Sequence, residues 1–294
     1  MEQKAYIGTA GWSYKDWINS FYYSTSTKEY DWLKFYAKYF NSVEVNSTFY
    51  TYVKNDIVKG WIDKVVDNPN FLFNIKLNQD FTHKRIYNLT QTKLFEYNLD
   101  ILKKAEKFGS ILMQFPYSFD FNYANIGYLN KLFEIFRLYD IVLEVRHNSW
   151  NNDEAIQFLS ESKVNFCAVD QPKVGNSLPL IPFITGNILY LRCHGRNIAS
   201  WKKSISNFGK PQTYDEQNER YKYLYLPGEI TEIENRIREV YDKINKIFVI
   251  LNNHPNAYAV ANAFEFMYLL NNRIKIKIPE TTIKTFPRLE KISA

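Results

Sequence analysis

The run LYLRCH, residues 189–194, alternates apolar and polar side chains: Arg192 and His194 fall on one parity, Leu191 and Cys193 on the other. Side chains two apart on a strand share a face, so this run reads as a strand with one apolar face and one that gathers charge towards its C-terminal end. The same parity recurs in other short apolar stretches. SVEVNS (42–47) groups Glu44 with Asn46, FNIKLN (73–78) groups Asn74, Lys76 and Asn78, and LEVR (143–146) groups Glu144 with Arg146. Charge on a buried face is costly unless it has partners or a function.

Working outward, eight such runs read as strands, at residues 6–9, 42–47, 72–77, 111–115, 141–146, 165–170, 188–194 and 248–252. Helical spacing occupies 32–40, 58–66, 94–108, 126–138, 154–161 and 229–244, with a final amphipathic helix at about 257–270. Asp31 is placed to cap the first helix, Asn68-Pro69 to close the second and Gly109 to close the third. The stretch QPKVGNSLPLIPFITGN (171–187) carries three prolines and two glycines and reads as loop. Eight strand–helix alternations without a Gly/Ser-rich linker predict an α/β protein: a single (β/α)8 TIM barrel over residues 1–294. A long loop, from Gly195 to about Gly228, follows the seventh strand. No Gly-x-Gly-x-x-Gly element follows the first strand, which argues against a dinucleotide-binding fold, and no cofactor is expected.

Composition narrows the function classes. The 294 residues are 46% hydrophobic with a net charge of +6. That balance admits an anionic partner but lacks the charge density of a dedicated nucleic-acid binder. Cys167 and Cys193 both lie in apolar runs and read as buried, reduced thiols rather than a disulfide. The opening MEQKAYIGTAGW has no signal-peptide pattern and no apolar run reaches membrane-spanning length. The expectation is a cytoplasmic protein with no membrane partner.

In a barrel, inward-facing residues at the C-terminal ends of strands form the floor of the active site. Parity assigns Thr9, Glu44, Asn46, Lys76, Gln114, Glu144, Arg146, Asp170, Arg192, His194 and Asn252 to that floor. Val43, Val45, Ile75, Leu77, Met113, Phe115, Val145, Leu191 and Leu251 then face the helices.

The same residues carry a family pattern. It comprises GTAGW (8–12), FNSVEVNSTFY (40–50), Thr82-His83, LMQFPYSF (112–119), LEVRHNSW (143–150), Asp170, YLRCHG (190–195), and LNN (251–253) followed by AVANA (259–263). Together these resemble the domain of unknown function 72 family, the YecE-like proteins, and the resemblance runs almost end to end. It implies a TIM-barrel fold and the position of the site, but no established reaction. Ala10 departs from the serine usual in the first motif, Tyr117 from a proline and Leu251 from an aromatic, none of them a charged floor residue. The family's barrel is similar to the endonuclease IV and sugar-isomerase group, where strand-end carboxylates and histidines bind metals, an analogy at the level of fold alone.

The floor residues suit several chemistries. His83, His147, His194 and His254 lie at or just beyond strand ends and, with Glu44, Glu144 and Asp170, are ligand types for Zn, Mn or Mg. Three floor carboxylates nevertheless face three cations, Lys76, Arg146 and Arg192, so each carboxylate can be claimed by a cation and no metal is assigned. An oxyanion site fits better, with Arg146 and Arg192 as bidentate clamps and Lys76 as a point charge. Glu44 and Glu144 are then the acid/base candidates, and His147 and His194 the proton shuttles. A buried ion-pair network that only orders the barrel mouth is the structural alternative. A Schiff-base role for Lys76 is disfavoured, because a lysine beside carboxylates should stay protonated.

Trp12, Tyr14, Trp17, Phe49, Tyr50, Trp150 and Trp201 cluster in loops above the floor, where they pack the rim or stack on a ligand. Trp12 and Trp150 are the candidates for ligand contact, and His83 and Asn253 complete the substrate-binding set. The long loop interleaves Arg196, Lys202, Lys203, Lys210, Arg220 and Lys222 with Trp201, Tyr214, Tyr221 and Tyr223, diluted by Asp215, Glu216 and Glu219. The expected function is general acid/base hydrolysis of a phosphorylated or otherwise anionic substrate (nucleotide, nucleic acid or phosphosugar) at a solvent-open site. The rivals are a non-catalytic nucleic-acid or nucleotide-binding protein and a metal-dependent, endonuclease IV-like phosphodiesterase.

Overall fold

The computed structural model describes residues 4–24, 28–206, 213, 216 and 218–294. Eight parallel strands close into a barrel in chain order: β1 (Ala5–Ala10), β2 (Ser42–Val45), β3 (Leu72–Lys76), β4 (Phe108–Gln114), β5 (Ile141–Glu144), β6 (Asn165–Asp170), β7 (Ile188–Cys193) and β8 (Lys246–Leu251). Closure comes from β1 against β8, with Gly8 opposite Ile250 and Thr9 opposite Leu251. The helices are α1 (Trp32–Tyr36), α2 (Ser47–Tyr50), α3 (Asn55–Lys64), α4 (Leu89–Lys104), α5 (Tyr123–Ile135), α6 (Asp153–Glu161), α7 (Ile198–Ser206), α8 (Pro227–Val240), α9 (Tyr258–Leu270) and α10 (Glu280–Thr285). The TIM-barrel fold is as the alternation predicts. Among the described residues no helix is long and apolar enough to cross a membrane.

Local chemistry explains where sequence periodicity misplaced boundaries. α4 begins at Leu89, five residues before its predicted start, because Asn88 and Gln91 form a capping box: Gln91 N donates to Asn88 Oδ1 (2.9 Å) and Asn88 N to Gln91 Oε1 (3.2 Å). Asn122 and Asn152 likewise cap α5 and α6 through Asn125 N and Ala155 N. Asp31 precedes α1 but makes no side-chain cap. Asn68 lies beyond the end of α3 and instead donates to Ala37 O and Phe40 O. Gly109 does not close α4 but sits inside β4, where an added Cβ would meet Asn74 Oδ1 at 2.5 Å. The long connection after β7 is not all loop, since it holds α7 and a 3₁₀ turn at Glu219–Tyr221. By contrast, no helix or strand lies between β6 and β7. Lys210, Tyr214 and Asp215 lie outside the described residues.

Two apolar layers form the core. The sheath between strands and helices takes one parity of each strand, including Val43, Ile75, Leu143, Leu191 and Val249. The barrel interior takes the other, with Leu72, Leu112, Val142, Cys167, Tyr190 and Phe248. A polar chain crosses this interior: Ser110 Oγ donates to Asn74 Oδ1 (2.8 Å) and Asn74 Nδ2 to Ser42 Oγ (2.9 Å). On β1 the strands approach so closely that a Cβ on Gly8 would lie 1.8 Å from Ser42 O. Gly8→Ala is therefore expected to destabilise the protein by about 2–3 kcal/mol through overpacking, measured by chemical denaturation. Unchanged stability would contradict this β1–β2 approach.

Candidate active site at the barrel mouth

One arginine organises the charged floor. Arg192, on β7, is 2% exposed, while Glu44 on β2 and Glu144 on β5 are both 0% exposed. Arg192 Nη2 donates to Glu44 Oε1 (2.6 Å), and Arg192 Nη1 donates to Glu144 Oε2 across the barrel. Tyr190, two residues before Arg192 and on the same face, donates its hydroxyl to Glu44 Oε2 (3.0 Å). Arg146, just past the end of β5, directs Nε (2.9 Å) and Nη2 (2.7 Å) at Glu144 Oε1. Burial opposes ionisation of Glu144, but Arg192, Arg146 and the bond to His194 outweigh it and hold the carboxyl well below its usual range. Burial equally works against the Arg192 charge, and the two glutamates more than restore it.

Two floor assignments need correction, on β1 and β6. The interior of β6 is Cys167 and Val169, so Asp170 shares the outward parity of Phe166 and Ala168. Its partners are Arg196, which donates from Nε (2.9 Å to Oδ1) and Nη2 (2.6 Å to Oδ2), and the Tyr225 hydroxyl (2.7 Å). Arg196 also reaches Glu229 and Glu232, tying the β7 connection to α8. On β1, Ala10 is interior and Thr9 points outward, its hydroxyl occupied by Gly11 O (2.6 Å) and the Tyr36 hydroxyl (3.0 Å). Removing Asp170 from the floor changes the charge count: Lys76, Arg146 and Arg192 face only Glu44 and Glu144. Asp170→Asn should thus lower stability by about 1–3 kcal/mol through the weakened Arg196 clamp. Anion affinity at the mouth, measured by calorimetric titration with inorganic phosphate, should be unchanged.

Lys76 holds the surplus charge. It ends β3, is partly exposed, and has no carboxylate within ion-pair distance among the described residues; its Nζ sits over the Phe49 ring, 4.2 Å from the centroid. Burial pushes its pKa down to about 7, Arg192 adds to the shift, and Glu44 and Glu144 oppose it. The neighbouring carboxylates oppose this shift but do not offset it. Both carboxylates are spent on arginines.

The histidines diverge. His194 is buried beneath the mouth, its Nδ1 facing Asn252 Nδ2 (2.9 Å) and its Nε2 3.7 Å from Glu144 Oε1. Burial, then Arg192, depresses its pKa to about 3, so it is neutral at physiological pH. His83 lies at the surface of the mouth against Phe49 and the Thr82 hydroxyl, its protonation disfavoured by desolvation and then by Lys76 and Arg146. His147 turns away to Ser149 (2.8 Å) and Asn176 (3.3 Å), and His254 stacks on Tyr14. Among the described residues no three His, Cys, Asp or Glu side chains converge in a metal-binding arrangement.

Other candidates have structural partners. Trp150 is buried, stacked on Phe119 and bonded to its carbonyl, so it packs the rim and cannot contact a ligand. Trp12 packs edge-to-face on Trp61. Asn253 joins Tyr223 O to Asn262, and Gln114 donates to Phe115 O. Asn46, between β2 and α2, has its Oδ1 buried and without a hydrogen-bond partner among the described residues. The mouth is less open than expected, because Trp201 on α7 and Tyr221 lie over His194, at ring distances of 6.3 and 5.8 Å. Sequence reasoning passed over Tyr190 and Tyr225, and read Arg196 as a basic loop residue rather than the partner of Asp170. Only Tyr190 left a signal, since it continues the parity of Arg192 and His194.

This barrel and mouth coincide with a family pattern over nearly the whole chain. The profile of a family described as "Protein of unknown function DUF72" matches residues 6–285. The chain belongs to the DUF72 family. Its solved relatives include a DUF72 protein of Thermotoga maritima, 28% identical with a TM-score of 0.78, covering 92% of this chain and 100% of that one. A DUF72 protein of Enterococcus faecalis is 25% identical with a TM-score of 0.77, covering 91% of this chain and 95% of the other. The protein YecE of Escherichia coli K12 is 28% identical over 114 residues, a match spanning 39% of the DUF72 chain studied and 38% of YecE.

Proposed function

We propose that this DUF72 protein is a barrel enzyme that binds an anionic small molecule, phosphorylated or carboxylate-bearing, between Lys76 and Arg146. The observation that carries the proposal is the unmatched positive charge at the mouth: Arg192 engages both interior carboxylates, Asp170 is withdrawn to Arg196, and Lys76 is left without an ion pair among the described residues. Arg146 keeps a partly exposed guanidinium whose Nη1 has no partner among the described residues. A bound anion complements this arrangement at low electrostatic cost, with Arg146 offering directional donors and Lys76 a point charge.

Glu44 and Glu144 are poorly suited to proton transfer, because arginines hold them and Glu144 stays ionised. Lys76 titrates near neutrality and is the better acid/base group for hydrolysis or another proton-transfer reaction at the bound anion. The two buried free thiols fit a reducing compartment, and we place the protein in the cytoplasm. A nucleic-acid strand is the second candidate ligand, favoured by Arg220 over the rings of Trp201 and Tyr221 beside the mouth. Steep loss of affinity with salt and no turnover would single it out. A metal-dependent phosphodiesterase has less support, since Glu44 and Glu144 already serve arginines.

The test is calorimetric titration with inorganic phosphate and nucleoside monophosphates. Saturable binding is expected, weakened roughly tenfold or more by Arg146→Ala and by Lys76→Ala, as for lost charge-assisted hydrogen bonds. Affinity unchanged from the wild type in both variants would overturn the proposal.

A further inference from the structure

We infer that Lys76 is also a covalent site, whose amine adds to the carbonyl carbon of an anionic oxo compound held in the mouth and forms a Schiff base. The inference rests on the anion site proposed above and names the substrate class within it.

The geometry is that of an amine kept from its usual counter-ion. Lys76 closes β3 on the interior parity, and its Nζ lies over the face of Phe49 rather than against a carboxylate. The charged groups facing it are Arg192 from β7, Glu44 from β2, Glu144 and Arg146 at the end of β5, and neutral His83 beyond β3. Both glutamates already accept from arginines, so the ammonium form gains little from them. The residue keeps partial exposure, and a substrate carbon would reach Nζ from that side. Burial, with Arg192 adding, brings the pKa down to about 7, so a large share of the amine is unprotonated at neutral pH, where an ordinary lysine is almost wholly charged.

The step balances within the site. The Nζ lone pair attacks the carbonyl carbon, the C=O π electrons move to oxygen, and a proton from the amine completes the carbinolamine. Loss of the hydroxyl as water leaves the C=N bond, so amine and carbonyl give imine and water without oxidant or reductant. Arg146 pairs with the carboxylate or phosphate of the substrate and orients the carbonyl towards Nζ. That requirement selects anionic aldehydes and ketones over neutral ones.

The experiment uses the full-length protein with glyoxylate, pyruvate and dihydroxyacetone phosphate as probes, trapped with sodium cyanoborohydride and mapped by peptide mass spectrometry. One saturable adduct on Lys76 is expected, with a rate that rises through about pH 7. It should be absent in Lys76→Met, whose retained fold is checked by thermal melting, and reduced roughly tenfold in Arg146→Ala. Adducts spread equally over surface lysines would overturn the inference. Phosphate binding by calorimetry without a Lys76 adduct would overturn the covalent site and leave the anion site standing. A Lys76 adduct that phosphate fails to suppress would support the covalent lysine and overturn the anion site.

Discussion

Replacing Arg192 by alanine is expected to cost about 3–5 kcal/mol of stability, a large share of the whole for a single domain. Arg192 is the counter-ion of two carboxylates with no exposure to solvent, and in the variant, among the described residues, Glu44 keeps only the Tyr190 hydroxyl while Glu144 keeps Arg146. An uncompensated buried charge costs far more than the net worth of the original pair, which is why the loss should be so large. Acid should narrow the gap. In the wild type the folded pKa of Glu144 lies below its unfolded value, so its stabilisation is present above about pH 4.5 and is lost as pH falls through the folded value. Without Arg192 the Glu144 carboxyl becomes easier to protonate, and the deficit should shrink below pH 4.5. Urea denaturation of both proteins across pH 3–7 measures this, and a deficit independent of pH would refute the ion-pair account.

Lys76→Met is expected to act in the opposite direction, raising stability at neutral pH while weakening anion binding roughly tenfold or more. The folded pKa is lowered from 10.5 to about 7, so between these values the unfolded chain binds the proton that the folded protein releases. Stability of the wild type must therefore rise as pH increases from about 7 to 10.5, and the penalty is full below about 7. Methionine removes that penalty at similar volume. The gain should be on the order of 2–3 kcal/mol at pH 6, discounted for the partly open face of the lysine, and should fade towards pH 10. A stability difference between Lys76→Met and the wild type that is equal at pH 6 and pH 10 in urea denaturation would mean that Lys76 is an ordinary solvated lysine.

Much of this arrangement is legible in the sequence. Period-two parity placed Glu44, Lys76, Gln114, Glu144, Arg192, His194 and Asn252 correctly because their strands mark one face as apolar and the other as polar. It failed on β6, NFCAVD, where Phe166 and Ala168 outside and Cys167 and Val169 inside are equally apolar, so nothing in the run orients Asp170. It failed on β1 for a related reason: small residues, Gly8 and Ala10, fill the interior, and the polar Thr9 spends its hydroxyl on Tyr36 in the outer layer. Pairings across the chain were the other loss. Arg196 reaches back 26 residues to Asp170, and Arg192 spans 148 to Glu44, so which cation each carboxylate takes is set by barrel closure rather than spacing. Counting charges alone matched three with three and hid the lysine that is left over.

That lysine is the centre of the account, and its titration is the most direct test. Selective NMR observation of the Lys76 side chain, assigned by its loss in Lys76→Met, should show a midpoint near pH 7 in the free protein. Inorganic phosphate should move that midpoint upward, because a bound anion favours the ammonium form. A midpoint near the ordinary 10.5 that phosphate leaves unmoved would contradict the anion site and the reactive amine together.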